Sequence, residues 1–364
     1  MPSSPASRSR FRCSAAGRRA PRRSRLRFAA CVAAAAAAAC ARADLLVGSG
    51  SESGLALSRW SLTANASSPL GTPLAGLSPS PSTPAWLRLP RAGGAAAADG
   101  VLVFAPQASP TTEHLVQWSL ASASRAAPDV ALSSADRCFL LFAAAADVAS
   151  GASVSCLSEV DAGRRTTTAL RRINRSTGKV DTLASVLPYY GPAGPAAHDA
   201  ARGALLVLYF CAPPCAAPQG TYLLSLDDAT AATRSRAAVA ADVRVIALAQ
   251  GAGATFALAS LGAGAGGTFA GTIDAASAAF TPLAASPDFA KRFAYIGTNT
   301  AVALGGGALW FAAVTQSPRA PPGAAAAGPP VSTPWLVGVD NSTGALTYAA
   351  PSDGVATFDY LLWL

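Results

Sequence analysis

From Asp44 onward the chain is a succession of short stretches in which apolar and polar residues alternate, each closed by Asx, Ser, Thr or Gly. Period-two alternation predicts half-buried strands, and such closing residues predict tight turns. One unit recurs six times as Leu57-Ser-Arg-Trp60-Ser-Leu62-Thr63, Leu115-Val-Gln-Trp118-Ser-Leu120-Ala121, Leu170-Arg-Arg-Ile173-Asn174, Tyr222-Leu-Leu-Ser-Leu226-Asp227, Phe269-Ala-Gly-Thr-Ile273-Asp274 and Trp335-Leu-Val-Gly-Val339-Asp340. Taking Leu62, Leu120, Ile173, Leu226, Ile273 and Val339 as the aliphatic anchors, the spacings are 58, 53, 53, 47 and 66 residues. A repeat of that period is the signature of stacked supersecondary units.

Buried strands are predicted upstream of most of these hairpins, at 101–104, 154–160, 204–210, 255–261 and 308–314, and a further one at 138–143, 243–249 and 196–199. Three or four strands per repeat predicts an all-β propeller of about six four-stranded blades. The uncharged stretches 245–273 and 293–318 are interrupted by glycines, including Gly262, Gly264, Gly266 and Gly267 in the first and Gly305-Gly306-Gly307 in the second, so they are expected as buried hairpins rather than membrane spans. The first blade lacks its innermost strand, since 45–47 and 55–62 supply its second and third. The C-terminal stretch Val355–Leu364 is a spare strand, and pairing it into that gap would close the ring without leaving an open edge.

Two repeats carry a longer motif, Val339-Asp340-Asn341-Ser342-Thr343-Gly344 and, with Asn in place of Asp, Ile173-Asn174-Arg175-Ser176-Thr177-Gly178. In these residues the chain resembles secreted or periplasmic β-propellers of the YVTN, quinoprotein-like and phosphogluconolactonase-like superfamily, whose blades carry a strand ending Ile/Val-Asp-x-x-Thr-Gly. The resemblance implies the fold over roughly 45–364 and leaves the activity open.

Composition adds the compartment. The 364 residues are 51% hydrophobic and 13% charged, too apolar for disorder and enough for a large core. The formal charge of +9 comes from residues 1–43, which hold ten Arg and no acid; 28 − 10 leaves 18 basic against 19 acidic residues from Asp44 on. A folded basic face that grips nucleic acid is therefore excluded. Arg8 to Arg27, the apolar run Phe28–Cys40 and Ala41-Arg42-Ala43 have the three parts of a cleavable leader, so 1–43 is expected to be removed and 44–364 to form a single domain. Secretion is expected, with an organelle (plastid) lumen as the alternative. Cys138, Cys156, Cys211 and Cys215 remain after cleavage; pairing as Cys138–Cys156 and Cys211–Cys215 is expected in an oxidising compartment, free buried thiols in a reducing one. Sequons at Asn65, Asn174 and Asn341 agree with the secretory route.

Chemistry is sparse. The two histidines, His114 and His198, have no partner at metal spacing and fall in strand contexts, where a structural imidazole is expected. Gly262 to Gly267 matches Gly-x-Gly-x-x-Gly, yet Thr268–Ile273 after it is strand-like, so no helix N-terminus awaits a pyrophosphate. Asn174, Asp227, Asp274 and Asp340 fall in different blades and are expected as Asx-turns rather than calcium ligands. Arg164, Arg165, Arg171, Arg172 and Arg175 are the one basic cluster, expected as a solvated outer-blade patch. No catalytic, metal or cofactor residue is assigned. The expectation is a monomeric noncatalytic scaffold that binds a protein, glycan or small ligand, without nucleic acid or a transmembrane anchor; the alternative is a propeller enzyme such as a sugar-lactone hydrolase or a quinone- or metal-dependent dehydrogenase. The expected binding surface is the set of loops 107–113, 211–220 and 316–334, marked by Gln107, Glu113, Gln316 and Arg319.

Overall fold

The computed structural model describes residues 44–51, 54–74, 86–88, 100–106, 113–132, 137–161, 166–186, 190–211, 213, 217–262, 266–294, 296, 302–316, 332–352 and 360–363. They lie in one compact unit, Ala43–Leu364; the stretch 1–43, expected as a cleavable leader, falls outside them.

Strands run in chain order through six blades. Blade one holds β1 (Asp44–Ser51), β2 (Gly54–Ser61) and β3 (Ala66–Pro69). Blade two holds β4 (Trp86–Arg88), β5 (Gly100–Pro106), β6 (Glu113–Ser119) and an outer strand in two pieces, β7 (Ser124–Arg125) and β8 (Val130–Ala131). Blade three holds β9 (Arg137–Phe142), β10 (Ser153–Asp161), β11 (Thr166–Asn174) and β12 (Val180–Val186), with a short helix α1 (Ala145–Ser150) between its first two strands. Blade four is β13 (Tyr190–Asp199), β14 (Ala204–Cys211), β15 (Gly220–Asp227) and β16 (Thr233–Ala238). Blade five is β17 (Val243–Gln250), β18 (Thr255–Leu261), β19 (Thr268–Ile273) and β20 (Phe280–Pro282). Blade six is β21 (Val302–Gly305), β22 (Ala308–Gln316), β23 (Ser332–Asp340) and β24 (Leu346–Pro351). The last strand, β25 (Tyr360–Trp363), returns to blade one and pairs antiparallel with β1, Leu45 opposite Trp363 and Gly48 opposite Tyr360.

The expected propeller closed by the C-terminal strand is therefore what forms, and Tyr360–Trp363 are the described part of the stretch 355–364. Within each blade the strands are lettered A to D outward from the axis. The inner strands β25, β4, β9, β13, β17 and β21 each touch the next around the ring, and β21 touches β25. The strand pattern of blade three is interrupted by α1: the Asp147 carboxylate accepts from the Ala144 N–H, and Gly151 ends the helix at φ 62°. An acceptor at N3 and a left-handed glycine are the terminators a short helix needs.

The inner strands of a blade are buried on both faces, because each blade is sandwiched between two others, while outer strands such as β3 and β16 are largely exposed. Successive residues of one strand therefore serve different seams: Leu205, Val207 and Tyr209 of β14 pack toward blade three, and Leu206 and Leu208 toward blade five. Six apolar clusters result, one for each seam. This is why β14 reads Ala-Leu-Leu-Val-Leu-Tyr-Phe-Cys without alternation, as a strand covered on both sides does. The Cys138–Cys156 disulfide joins the A and B strands of blade three inside the seam with blade two, Cα atoms 6.0 Å apart.

Candidate functional site

Antiparallel radial strands divide the connections between two ends of the ring. A-to-B and C-to-D connections share one face, B-to-C and D-to-A the other.

The C-to-D turns follow one rule in all six blades. The strand ends on a buried anchor, and the next side chain accepts a hydrogen bond from the backbone N–H three residues on: Ser61 from Ala64, Ser119 from Ser122, Asn174 from Thr177, Asp227 from Thr230, Asp274 from Ser277 and Asp340 from Thr343. The fifth turn residue has positive φ in every blade: Asn65, Ala123, Gly178, Ala231, Ala278 and Gly344. The expected Asx-turns thus extend to blades one and two, with Ser in the first position. There the anchors are Trp60 and Trp118, at 1% and 3% exposure, and not Leu62 and Leu120, which fall inside the turns. An aromatic at the anchor position hid the register from a search for aliphatic residues. The carboxyls of Asp227 and Asp340 are held at about 2, the first chiefly by Arg234, the second chiefly by the Ser342 hydroxyl.

All three sequon asparagines lie in these turns: Asn65 between β2 and β3, Asn174 between β11 and β12, and Asn341 between β23 and β24. Asn65 also closes the ring seam, its Oδ1 accepting from the Tyr348 hydroxyl, which in turn accepts from Trp60 Nε1 at 2.9 Å.

Near the axis on the same face, His198 and Asp199 end β13 and point to opposite blades. The His198 ring packs on Phe142 of blade three at 4.7 Å, with Nε2 at 3.0 Å from Asp228 Oδ2. Asp199 accepts from Arg202 Nη1 at 3.1 Å and from Gln250 Nε2 of blade five at 3.2 Å, and Gln250 accepts from the Thr255 hydroxyl. Consecutive residues thus tie three blades together. His198 is held by Asp228 and Phe142, and its Nδ1 has no partner among the described residues. His114 sits in β6 opposite Ala105 and Ala131.

The basic cluster is not a solvated patch where it is described. Arg172 lies 3.3 Å from Asp147, a carboxylate at 2% exposure that also accepts from the Ser153 and Ser155 hydroxyls at 2.6 Å. Arg175 donates to the Gly151 carbonyl and to Gln117 of blade two, and burial lowers its pKa. A buried carboxylate needs such partners, and these two guanidinium groups fasten blade three internally and to its neighbour. Arg164 and Arg165 lie outside the described residues.

On the opposite face the B-to-C connections range from 52–53 in blade one to 212–219 in blade four and 317–331 in blade six. Glu113 opens β6 and Gln316 closes β22, so both border this face; Gln107 and Arg319 lie outside the described residues. Cys211 ends β14 here and is disulfide-bonded, while Cys215 lies outside the described residues. The glycine-rich turn 262–267 joins strand to strand, as expected. Among the described residues no three His, Cys, Asp or Glu side chains converge as a metal set.

No protein-family model matches the chain, and no curated protein matches it in sequence. Solved structures do match in fold. TolB from Acinetobacter baumannii superposes with a TM-score of 0.50 at 10% identity, over 88% of this chain and 66% of TolB. A puromycin hydrolase mutant matches with 0.49 at 14% identity, over 85% of this chain and 52% of the hydrolase. A protein from Lactobacillus plantarum matches with 0.47 at 11% identity, over 89% and 99% of the two chains. The chain therefore spans about two thirds of TolB and half of the hydrolase, and the likeness is one of β-propeller fold.

Proposed function

We propose that this protein is a secreted or lumenal, noncatalytic recognition scaffold that meets its ligand on the face of the B-to-C and D-to-A connections. The observation that carries the reading is the contrast between faces. C-to-D turns obey one hydrogen-bonding rule in all six blades, while the B-to-C connections range from 52–53 to 317–331. Short turns suffice to join strands, so length beyond that on a rigid scaffold serves binding. Glycans at Asn65, Asn174 and Asn341 would cover the other face. Export after loss of 1–43 accords with the Cys138–Cys156 disulfide and with the lack, among the described residues, of a helix long and apolar enough to cross a membrane. A Cys211–Cys215 bridge would pin the base of the blade-four loop.

The test replaces 317–331 with a tight turn and measures affinity for a partner recovered by capture with the intact protein. Weaker binding by a folded variant supports the assignment; unchanged affinity overturns it. One observation favours the alternative of a propeller enzyme: the His198 imidazole, fixed by Asp228 and Phe142, keeps Nδ1 unbonded near the axis. Elemental analysis and an absorbance spectrum of the purified protein separate the readings, since a stoichiometric metal or a quinone-like chromophore would support the enzyme.

A further inference from the structure

The arginines sort by face. On the A-to-B and C-to-D side Arg59, Arg125, Arg172, Arg202 and Arg234 each face a carboxylate, and Arg175 is bonded to a carbonyl and an amide. Arg171, in mid-strand, is also engaged. Three exposed guanidinium groups have no ion-pair partner among the described residues, and all three lie toward the opposite face: Arg236 in the distal half of β16, Arg244 at the start of β17, and Arg292 in the connection from blade five to blade six. Two of them are stacked on rings. Arg236 lies 5.7 Å from the Tyr222 centroid, and Arg292 lies 5.7 Å from Phe293 and 6.0 Å from Trp335, whose Nε1 is anchored on Thr315. A guanidinium held beside a ring keeps its charge and its N–H donors, which can grip a carboxylate with two bonds. Phe210, next to the blade-four loop, is 42% exposed on the same rim. Of the acids on that side, Asp242 is exposed and Asp288 caps a turn and lies 3.9 Å from Lys291; Glu113 at the start of β6 and Asp161 at the end of β10 also border it.

Building on the recognition reading above, we propose that this face binds an acidic segment of a protein, whose carboxylates pair with Arg292 and Arg244 while an apolar side chain covers Phe210. Stacked Arg beside Trp and an exposed aromatic is the make-up of protein-interface hot spots, and the exposed phenyl favours a peptide over a polyuronate.

The experiment selects a random-peptide phage library on the purified protein and measures the best synthetic peptide by fluorescence anisotropy. Peptides rich in Asp or Glu with an aromatic or Leu are expected. Arg292→Gln and Arg244→Gln, checked for unchanged melting, should each weaken binding about tenfold, and added salt should weaken it further. Arg125→Gln, on the other face, should leave affinity unchanged. Selection of acid-free peptides that still lose affinity when 317–331 is shortened would overturn the acidic chemistry and leave the face standing. Acidic peptides lost on changing the Asn174 and Asn341 turns would overturn the face as well. Binding of an oligouronate at Arg292 in place of any peptide would overturn the choice of a protein.

Discussion

Gly344→Ala is expected to destabilise the propeller because two separate constraints meet at that residue. It is the fifth residue of the blade-six turn, buried, with φ +85°, where a side chain strains the backbone. A Cβ added there would lie 2.5 Å from Leu283 Cβ and 2.8 Å from the Ser286 nitrogen, in the segment of blade five that docks through the Ala285 N–H on the Thr343 carbonyl at 2.7 Å. Left-handed backbone costs an alanine about 1–2 kcal/mol relative to glycine. Overpacking against neighbouring backbone adds about 1–3 kcal/mol, and the stiffer unfolded chain returns about 0.4–1 kcal/mol. A net loss of about 2–4 kcal/mol follows, or a drop in Tm of roughly 3–6 °C for a domain of this size. Ala231 occupies the equivalent position with φ 57°, so Ala231→Gly relieves a similar backbone strain while losing one methyl and should change stability by less than about 1 kcal/mol. Thermal and urea unfolding of the two variants beside the parent decides it. A Gly344→Ala protein melting within about 1 °C of the parent would refute the argument that the neighbouring blade selects glycine here.

Trp363→Ala should weaken the closing seam by about 3–5 kcal/mol, because the indole lies against Gly305 and Gly306 and stacks on Trp310 at 5.9 Å; parent-like melting would count against closure by β25. The carboxyls of Asp227 and Asp340 are held at about 2, below the 3.8 of an ordinary aspartate, so their contribution is present above about pH 4 and is lost as pH falls toward 2. Asp340→Asn keeps the Asx-turn, as Asn174 does, and should flatten that acid limb of urea midpoint against pH; an unchanged limb would exclude Asp340 as a source. Opening the Cys138–Cys156 bridge as Cys156→Ala, at a sequence separation of 18, should cost about 3 kcal/mol, and peptide mapping of the intact protein should recover both this bridge and Cys211–Cys215.

Strands β14, β18 and β22 were legible as apolar runs of Ala, Leu, Val and aromatics, and β10 by the alternation of Val154, Cys156 and polar neighbours. The repeat period was legible because each blade must rebuild the same buried anchor and the same turn. The first two anchors were misplaced by two residues, since Trp60 and Trp118 fill the volume that Leu, Ile or Val fills elsewhere and only strand pairing fixes the register: Trp60 opposite Ser67 matches Ile173 opposite Val180. Helix α1 was missed because its terminator is a contact with Asp147, whose other bonds, to Ser155 and Arg172, come from strands that pair only after the blade forms.

The sequence alone therefore determined the local grammar: where most strands lie, the turn chemistry, a ring of about six blades and the spare strand that closes it. The tertiary structure decided what depends on a neighbouring blade. It set which turn positions must be glycine, since Gly178 and Gly344 meet the backbone next door where Ala231 and Ala278 do not. It split the basic cluster into pairs, gave His198 and Asp199 opposite partners, and left three arginines uncommitted on one face. Alternation along a strand records that a side chain leaves the blade, and only the ring specifies which neighbour it meets.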